Sequence, residues 1–202
     1  MAKAYHAFGY SGIVVTDHFF NGNCRVPHEL EWAERVDCFI SGYLDAKAAG
    51  DRLGMVVLFG WEFNICGAEF LTYGLDPEFL HMNPNIDRLG ARDYIDLVHK
   101  AGGFISQAHP FRERDYIYGL HLYPTCEGAE VVNLGNRDIE NRRAHEYAED
   151  RSIIMTAGGD LHSANAIDGT GMMFYNEIKN SADFIEALRL DDYKLILRGK
   201  SL

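Results

Sequence analysis

The chain has 202 residues, of which 47% are apolar and 12% aromatic, and 19 Lys plus Arg against 30 Asp plus Glu leave a formal charge of −11. Such a chain is too rich in aromatics and aliphatics to be disordered and too acidic to be a general nucleic-acid binder or to favour an anionic membrane surface. It has no apolar run of about 18 residues and no basic-then-apolar leader, so one soluble, cytoplasmic domain over residues 1–202 is expected, with no membrane and no nucleic acid as partner.

Residues 1–9 read as the end of a helix and a turn, and Gly12 to Thr16 (GIVVT) as a buried strand. Glu29 to Ala49 reads as a helix behind Pro27, with Leu30, Ala33, Ile40 and Leu44 near one face and Gly50 as its stop. Met55 to Phe59 is a second buried strand and Phe70 to Tyr73 a short third, and Leu75 to Arg88, with two prolines, reads as a loop. A helix follows over Ala91 to Ala101, then strands at Phe104 to Ala108 and Ala129 to Asn133. Asp138 to Glu149 is helical and Ile153 to Ala157 a strand. Gly169-Thr170-Gly171 makes a turn before Met172 to Phe174. Ser181 caps a last helix carrying Phe184, Ile185 and Leu188, and Tyr193 to Leu197 closes the chain. Apolar strands alternating with helices predict a parallel sheet covered on both faces, as a barrel or as an open doubly wound sheet. Cys24, Cys38, Cys66 and Cys126 are far apart, with no Cys-x-x-Cys, and are expected to be reduced packing residues.

The polar residues mark the strand ends. GIVVT runs into Asp17-His18, MVVLFG into Trp61-Glu62, FISQA into His109-Pro110, EVV into Asn133, and IIMTAGG into Asp160-Leu161-His162. In parallel α/β folds the C-terminal strand ends meet on one rim, where sites form. Asp160 and His162, two apart in a loop, can face one cation, and a carboxylate such as Glu62 at a core edge is costly unless paired or metal-bound. Nitrogen and carboxylate donors without thiolates suit Zn²⁺, Mn²⁺ or Fe. No Gly-x-Ser-x-Gly elbow and no phosphate-cradling Gly-Lys-Ser/Thr loop competes.

Thr16-Asp17-His18, Trp61-Glu62, Ala108-His109-Pro110, Glu130-Val131-Val132-Asn133 and Gly159-Asp160-Leu161-His162, in that order, resemble the motifs of the PHP (polymerase and histidinol phosphatase) family of metal-dependent phosphoesterases. The resemblance implies a distorted (β/α)7 TIM-like barrel with metals at its C-terminal rim and hydrolysis of a phosphate ester. It implies that His18 and His162 share one metal, that Glu62 bridges two, that His109 joins Glu62 on the second, and that Asp160 lies on the other side of Glu62. Asn133 stands where the family often has His or Cys and is a poorer donor. Asp17 is expected to orient His18 through its ring nitrogen.

The family pattern opens with a strand carrying a His-x-His pair, which has no counterpart here, and His6 and His28 are not obvious replacements. The barrel is therefore expected to be incomplete at its N-terminus, either because the sequence starts at an internal methionine or because the form is naturally reduced. One or two divalent metals are expected rather than three, and the bared sheet edge beside Ile13 to Thr16 suggests a homodimer. The implied reaction is hydrolysis of a small phosphomonoester or nucleotide by metal-activated water. His18 or His162 would protonate the leaving oxygen, Arg112 would hold phosphate oxygens or else pair with Glu113 or Asp115 at the surface, and Tyr116 and Tyr118 would line the pocket or pack in the core. A non-catalytic metal-binding domain is the alternative, motivated by the missing ligands. An amidohydrolase or a polymerase-linked nuclease fits less well, for want of a strand-end lysine and of a basic groove.

Overall fold

A computed structural model describes residues 1–115, 117 and 119–201. Helix α1 (Ala2–Phe8) ends at Gly9 and leads into β1 (Gly12–Val15). Helix α2 (Trp32–Leu53) crosses to β2 (Val56–Ile65), which turns back as β3 (Ala68–Tyr73). Helices α3 (Pro77–Met82) and α4 (Ala91–Lys100) precede β4 (Phe104–Gln107). Strand β5 (Gly128–Asn133), helix α5 (Asp138–Arg151) and β6 (Ile154–Gly158) complete a six-stranded sheet whose strand order follows chain order. Strand β7 (Gly171–Phe174), helix α6 (Ser181–Arg189), β8 (Tyr193–Leu197) and β9 (Lys200–Ser201) follow, the three strands forming a separate antiparallel sheet.

The architecture is mixed α/β, with the large sheet curled as a half-barrel. It departs from the all-parallel expectation at its centre. β1–β2, β4–β5 and β5–β6 pair parallel, but β2–β3 and β3–β4 pair antiparallel. The cause lies in β2, which continues through Trp61-Glu62 to Ile65 instead of stopping at Phe59, and then reverses at Cys66-Gly67 into β3. Two helical boundaries also differ. Gly50 does not end α2, which runs on to Leu53; a Cβ at Gly50 would meet Val57 Cγ2 at 2.5 Å, so this glycine lets the helix lie close on β2. The expected loop at 75–88 contains α3, started by the Asp76 side chain accepting from the Phe79 N–H with Pro77 at the first helical position. In α6, Asn180 rather than Ser181 caps the helix, accepting from Asp183 N. All four cysteines are free. No helix among the described residues is long and apolar enough to cross a membrane.

Strand alternation divides the interior in two. Phe59, Trp61 and Phe63 of β2 and Phe70 of β3 point toward α2, α3 and α4, where they join Phe19, Phe39, Leu80 and Tyr94 in an aromatic core. The Tyr94 hydroxyl accepts from Trp61 Nε1 at 2.7 Å and contacts the Thr72 hydroxyl, so the polar atoms buried there are partnered. The opposite face carries Leu58, Leu71, Tyr73, Phe104, Val131 and Val132 against α5 and α6. Glu62, one residue from Trp61, belongs to this second face. The same period of two that buries the tryptophan in the helical layer therefore turns the carboxylate into the hollow of the sheet.

Candidate metal centre

Glu62 is the hub of the site. It is 6% exposed, pairs in register with Leu71, and makes an isolated parallel bridge with His18, which follows the end of β1. Its Oε2 lies 2.9 Å from His18 Nδ1 and its Oε1 lies 3.5 Å from His109 Nε2. Glu69, on the returning arm of the hairpin, adds a second carboxylate. Its Oε2 is 3.3 Å from His109 Nε2 and its Oε1 is 3.9 Å from His18 Nδ1. His18, Glu62 and Glu69 each present a donor atom within 4.8 Å of the others, the spacing of ligands around one ion. His109 closes the group from β4, its left-handed backbone (φ 29°) aiming the ring inward.

The donor set fits a divalent cation. His18 Nδ1 is buried beside two carboxylates, Glu62 Oε2 at 2.9 Å and Glu69 Oε1 at 3.9 Å, an imidazole nitrogen and two carboxylate oxygens gathered as the ligands of one ion are. Two carboxylates and imidazoles in a half-buried pocket suit Zn²⁺, Mn²⁺ or Fe(II). The electrostatics show the same strain. Burial pushes the Glu62 carboxyl up, but contacts with His109 and His18 outweigh it and hold it at about 2. Glu69 is raised, by burial and then by the Glu62 charge. Contact with Glu62 raises His18; in His109 burial acts downward, and Glu62 and Glu130 overcome it.

The other predicted residues lie alongside. His162 Nε2 is 3.4 Å from His18 Nε2 at the exposed mouth of the site, and its Nδ1 is 3.2 Å from the Asp160 carbonyl. Asp160, also left-handed at φ 49°, points its Oδ2 at Arg112 NH1, 2.6 Å away. Arg112 further donates from Nε to Asn136 Oδ1 at 2.9 Å and from NH2 to Asn133 Oδ1 at 2.7 Å. The five residues read from strand ends, His18, Glu62, His109, Asp160 and His162, thus converge as one chain of contacts.

Asp17 does not orient His18. It is exposed, and its Oδ2 faces the position of Gly42 in α2. Tyr116 and Tyr118 lie outside the described residues. Two acids, the half-buried Glu69 and the buried Glu130, had no role assigned from the sequence. Glu69 was hidden by starting its strand at Phe70. Glu130, 3% exposed, accepts from His109 N–H at 3.1 Å and Asn133 Nδ2 at 2.8 Å, and burial pushes its carboxyl up to about 7. The signal for both was the one that exposed Glu62: a lone carboxylate within an apolar strand.

Comparison with known proteins bears on this geometry. The PHP-associated family model matches residues 138–192, the stretch that carries Asp160 and His162. No curated protein matches the sequence. Among solved structures, the chain is similar to a two-domain protein from Bacteroides vulgatus ATCC 8482 containing a predicted PHP-like metal-dependent phosphoesterase, with 15% identity, a TM-score of 0.71 and 99% of this chain covered. It spans only 60% of that protein's length. It is also similar to PsfC from Pseudomonas syringae PB-5123 (15% identity, TM-score 0.64, 91% of this chain and 77% of that one). A third similar structure is a candidate metal-dependent phosphoesterase from Bifidobacterium adolescentis ATCC 15703 (14% identity, TM-score 0.51, 93% of this chain and 88% of that one). The PHP-associated model matches a minority of the chain, and the solved structures, at 14–15% identity, show a likeness of fold.

Proposed function

We propose that this chain is a metal-dependent phosphoesterase acting on a small phosphomonoester or nucleotide. The observation that carries the reading is the meeting of His18, Glu62, Glu69 and His109, two imidazoles and two carboxylates gathered in one half-buried cluster. A divalent cation held there would polarise a phosphoryl oxygen and lower the pKa of a bound water toward about 7. The protein's own groups divide the remaining work. Glu62 and Glu69 fix the two imidazoles from opposite arms of one hairpin. His162, at the mouth and largely exposed, would hand a proton to the leaving oxygen. Arg112 stands on the same rim with its guanidinium already paired to Asp160, Asn133 and Asn136, so the cation would supply the positive charge that a chain of charge −11 needs to receive an anionic substrate.

The test is hydrolysis of an aryl phosphate and of nucleoside monophosphates by the purified chain, with added Mn²⁺ or Zn²⁺ and with chelator. The expected result is turnover that requires metal and is lost, together with bound metal, in Glu62→Ala. Metal that binds without turnover of any phosphate ester would favour a non-catalytic metal-binding domain. Turnover that persists in Glu62→Ala would overturn the assignment of the hub.

A further inference from the structure

We infer that the Arg112 guanidinium stands permanently where a second cation would otherwise bridge Asp160 and Asn133, so that this chain holds a single divalent ion, on the hairpin side of the rim. The inference rests on the metal-centre reading above and goes beyond it in fixing which acidic and amide donors are closed to metal.

The accounting of lone pairs carries it. Asn133 is 1% exposed, and its Oδ1 accepts from Arg112 NH2 at 2.7 Å and from Gly135 N–H at 2.8 Å, which fills both acceptor positions of a carbonyl oxygen. Its Nδ2 donates to Glu130 at 2.8 Å, so the amide cannot turn over to offer a fresh oxygen. Asp160 Oδ2, the oxygen on the Asn133 side of the fork, is paired with Arg112 NH1 at 2.6 Å, while Oδ1 lies 3.8 Å from His162 Nδ1. Arg112 is therefore forked across Asp160, Asn133 and Asn136, with only 10% of its side chain exposed.

The loop that delivers Arg112 is itself fixed. Glu113 N–H donates to the buried Glu140 carboxylate at 2.8 Å, and Arg114 donates to Glu140 at 3.2 Å and to the Gly135 carbonyl at 2.7 Å. The cradle is closed at Gly135, where a Cβ would come within 3.2 Å of both Arg112 NH2 and Asn133 Oδ1. A divalent ion entering here would have to expel a buried guanidinium or sit against it. On the hairpin side no arginine or lysine nitrogen lies within ion-pairing distance of Glu62 or Glu69 among the described residues; Glu69 Oε1 accepts from the neutral Asn64 amide at 3.1 Å, and Glu62 Oε1, Glu62 Oε2 and Glu69 Oε2 face the His18 and His109 imidazoles.

The test counts bound metal. The purified chain is stripped with chelator and titrated with Mn²⁺, with metal measured by mass spectrometry and electron paramagnetic resonance. A single equivalent is expected for the wild-type chain. Asp160→Asn should keep that equivalent with Kd changed less than about threefold, whereas Glu69→Gln should weaken it by about tenfold or more. Arg112→Ala, if folded by circular dichroism, should open a second, weaker site. Two tight equivalents in the wild type, a tenfold loss in Asp160→Asn, or a folded Arg112→Ala that still binds only one would overturn the inference. Absence of bound metal in the wild type would instead overturn the metal-centre reading beneath it, so the two failures are distinguishable by the count.

Discussion

The two sides of the rim use similar residues and finish them in opposite ways. On the hairpin side, Glu62 and Glu69 face the His18 and His109 imidazoles, and the neutral Asn64 amide donates to Glu69 Oε1 at 3.1 Å. On the β5–β6 side, Asp160, Asn133 and Asn136 all receive one guanidinium. The first side gathers negative charge with no permanent internal counter-charge; the second is neutralised within the fold. Burying charge without a counter-charge is costly, so a cation would relieve the first arrangement while the second needs none. Residue type alone marks both sides as ligand-rich. What separates them is whether the lone pairs are already spoken for.

The contrast can be broken most forcefully by removing its hub. Glu62→Ala should weaken metal binding by more than about 100-fold, roughly 2.7 kcal/mol, in competition with a chromophoric chelator; Asp160→Ala should not. Equal losses in the two variants would erase the distinction. Metal itself should stabilise the hairpin side. At a free concentration of 100 times Kd it adds about 2.7 kcal/mol and should raise Tm by roughly 5–10 °C, reversed by chelator. An unchanged melting curve would show that the cluster does not bind the ion in the native state.

A smaller effect probes the fixed side. Glu140, fully buried, accepts from the backbone of Glu113 and Arg137 and from the Arg137 and Arg114 guanidinium groups. Burial pushes its carboxyl up, and these donors more than compensate, holding it at about 2. A carboxyl depressed on folding contributes stability that is complete above its ordinary range and is lost as pH falls toward 2. Glu140→Gln should therefore cost about 1–2 kcal/mol near neutral pH by urea unfolding. The difference from wild type should shrink on acidification between about pH 5 and pH 2. A pH-independent difference would show that the charge of Glu140 plays no part in holding the Arg112 loop.

The sequence was most informative where apolar runs end in polar residues, because a buried strand must surface somewhere and its end is where a charged group can sit. This rule brought His18, Glu62, His109, Asp160 and His162 to one place. It misjudged β2, where the alternation Phe59, Trp61, Phe63 already signalled that the strand continued past Glu62 and that its neighbour would run antiparallel. The cost was Glu69, whose partners are set by the pairing Asn64↔Glu69 and not by local pattern. Helix α3 was legible in Asp76-Pro77, an N-cap followed by a first-position proline, but two prolines in a short stretch suggested a loop. The fork of Arg112 was not legible, since Asp160 and Asn133 reach it only after the sheet has folded.

The hairpin has a consequence for how this chemistry tolerates change. Glu62 and Glu69 sit on one face because the turn at Cys66-Gly67 fixes the count of residues between them. Helices, loops and most of the core can drift while that spacing survives, but adding or deleting one turn residue would send Glu69 into the aromatic layer and leave the hub alone. The ion-binding capacity proposed for the molecule would thus be inherited through a length rather than through any single side chain, and indels in this turn should be far rarer among functional variants than substitutions beside it.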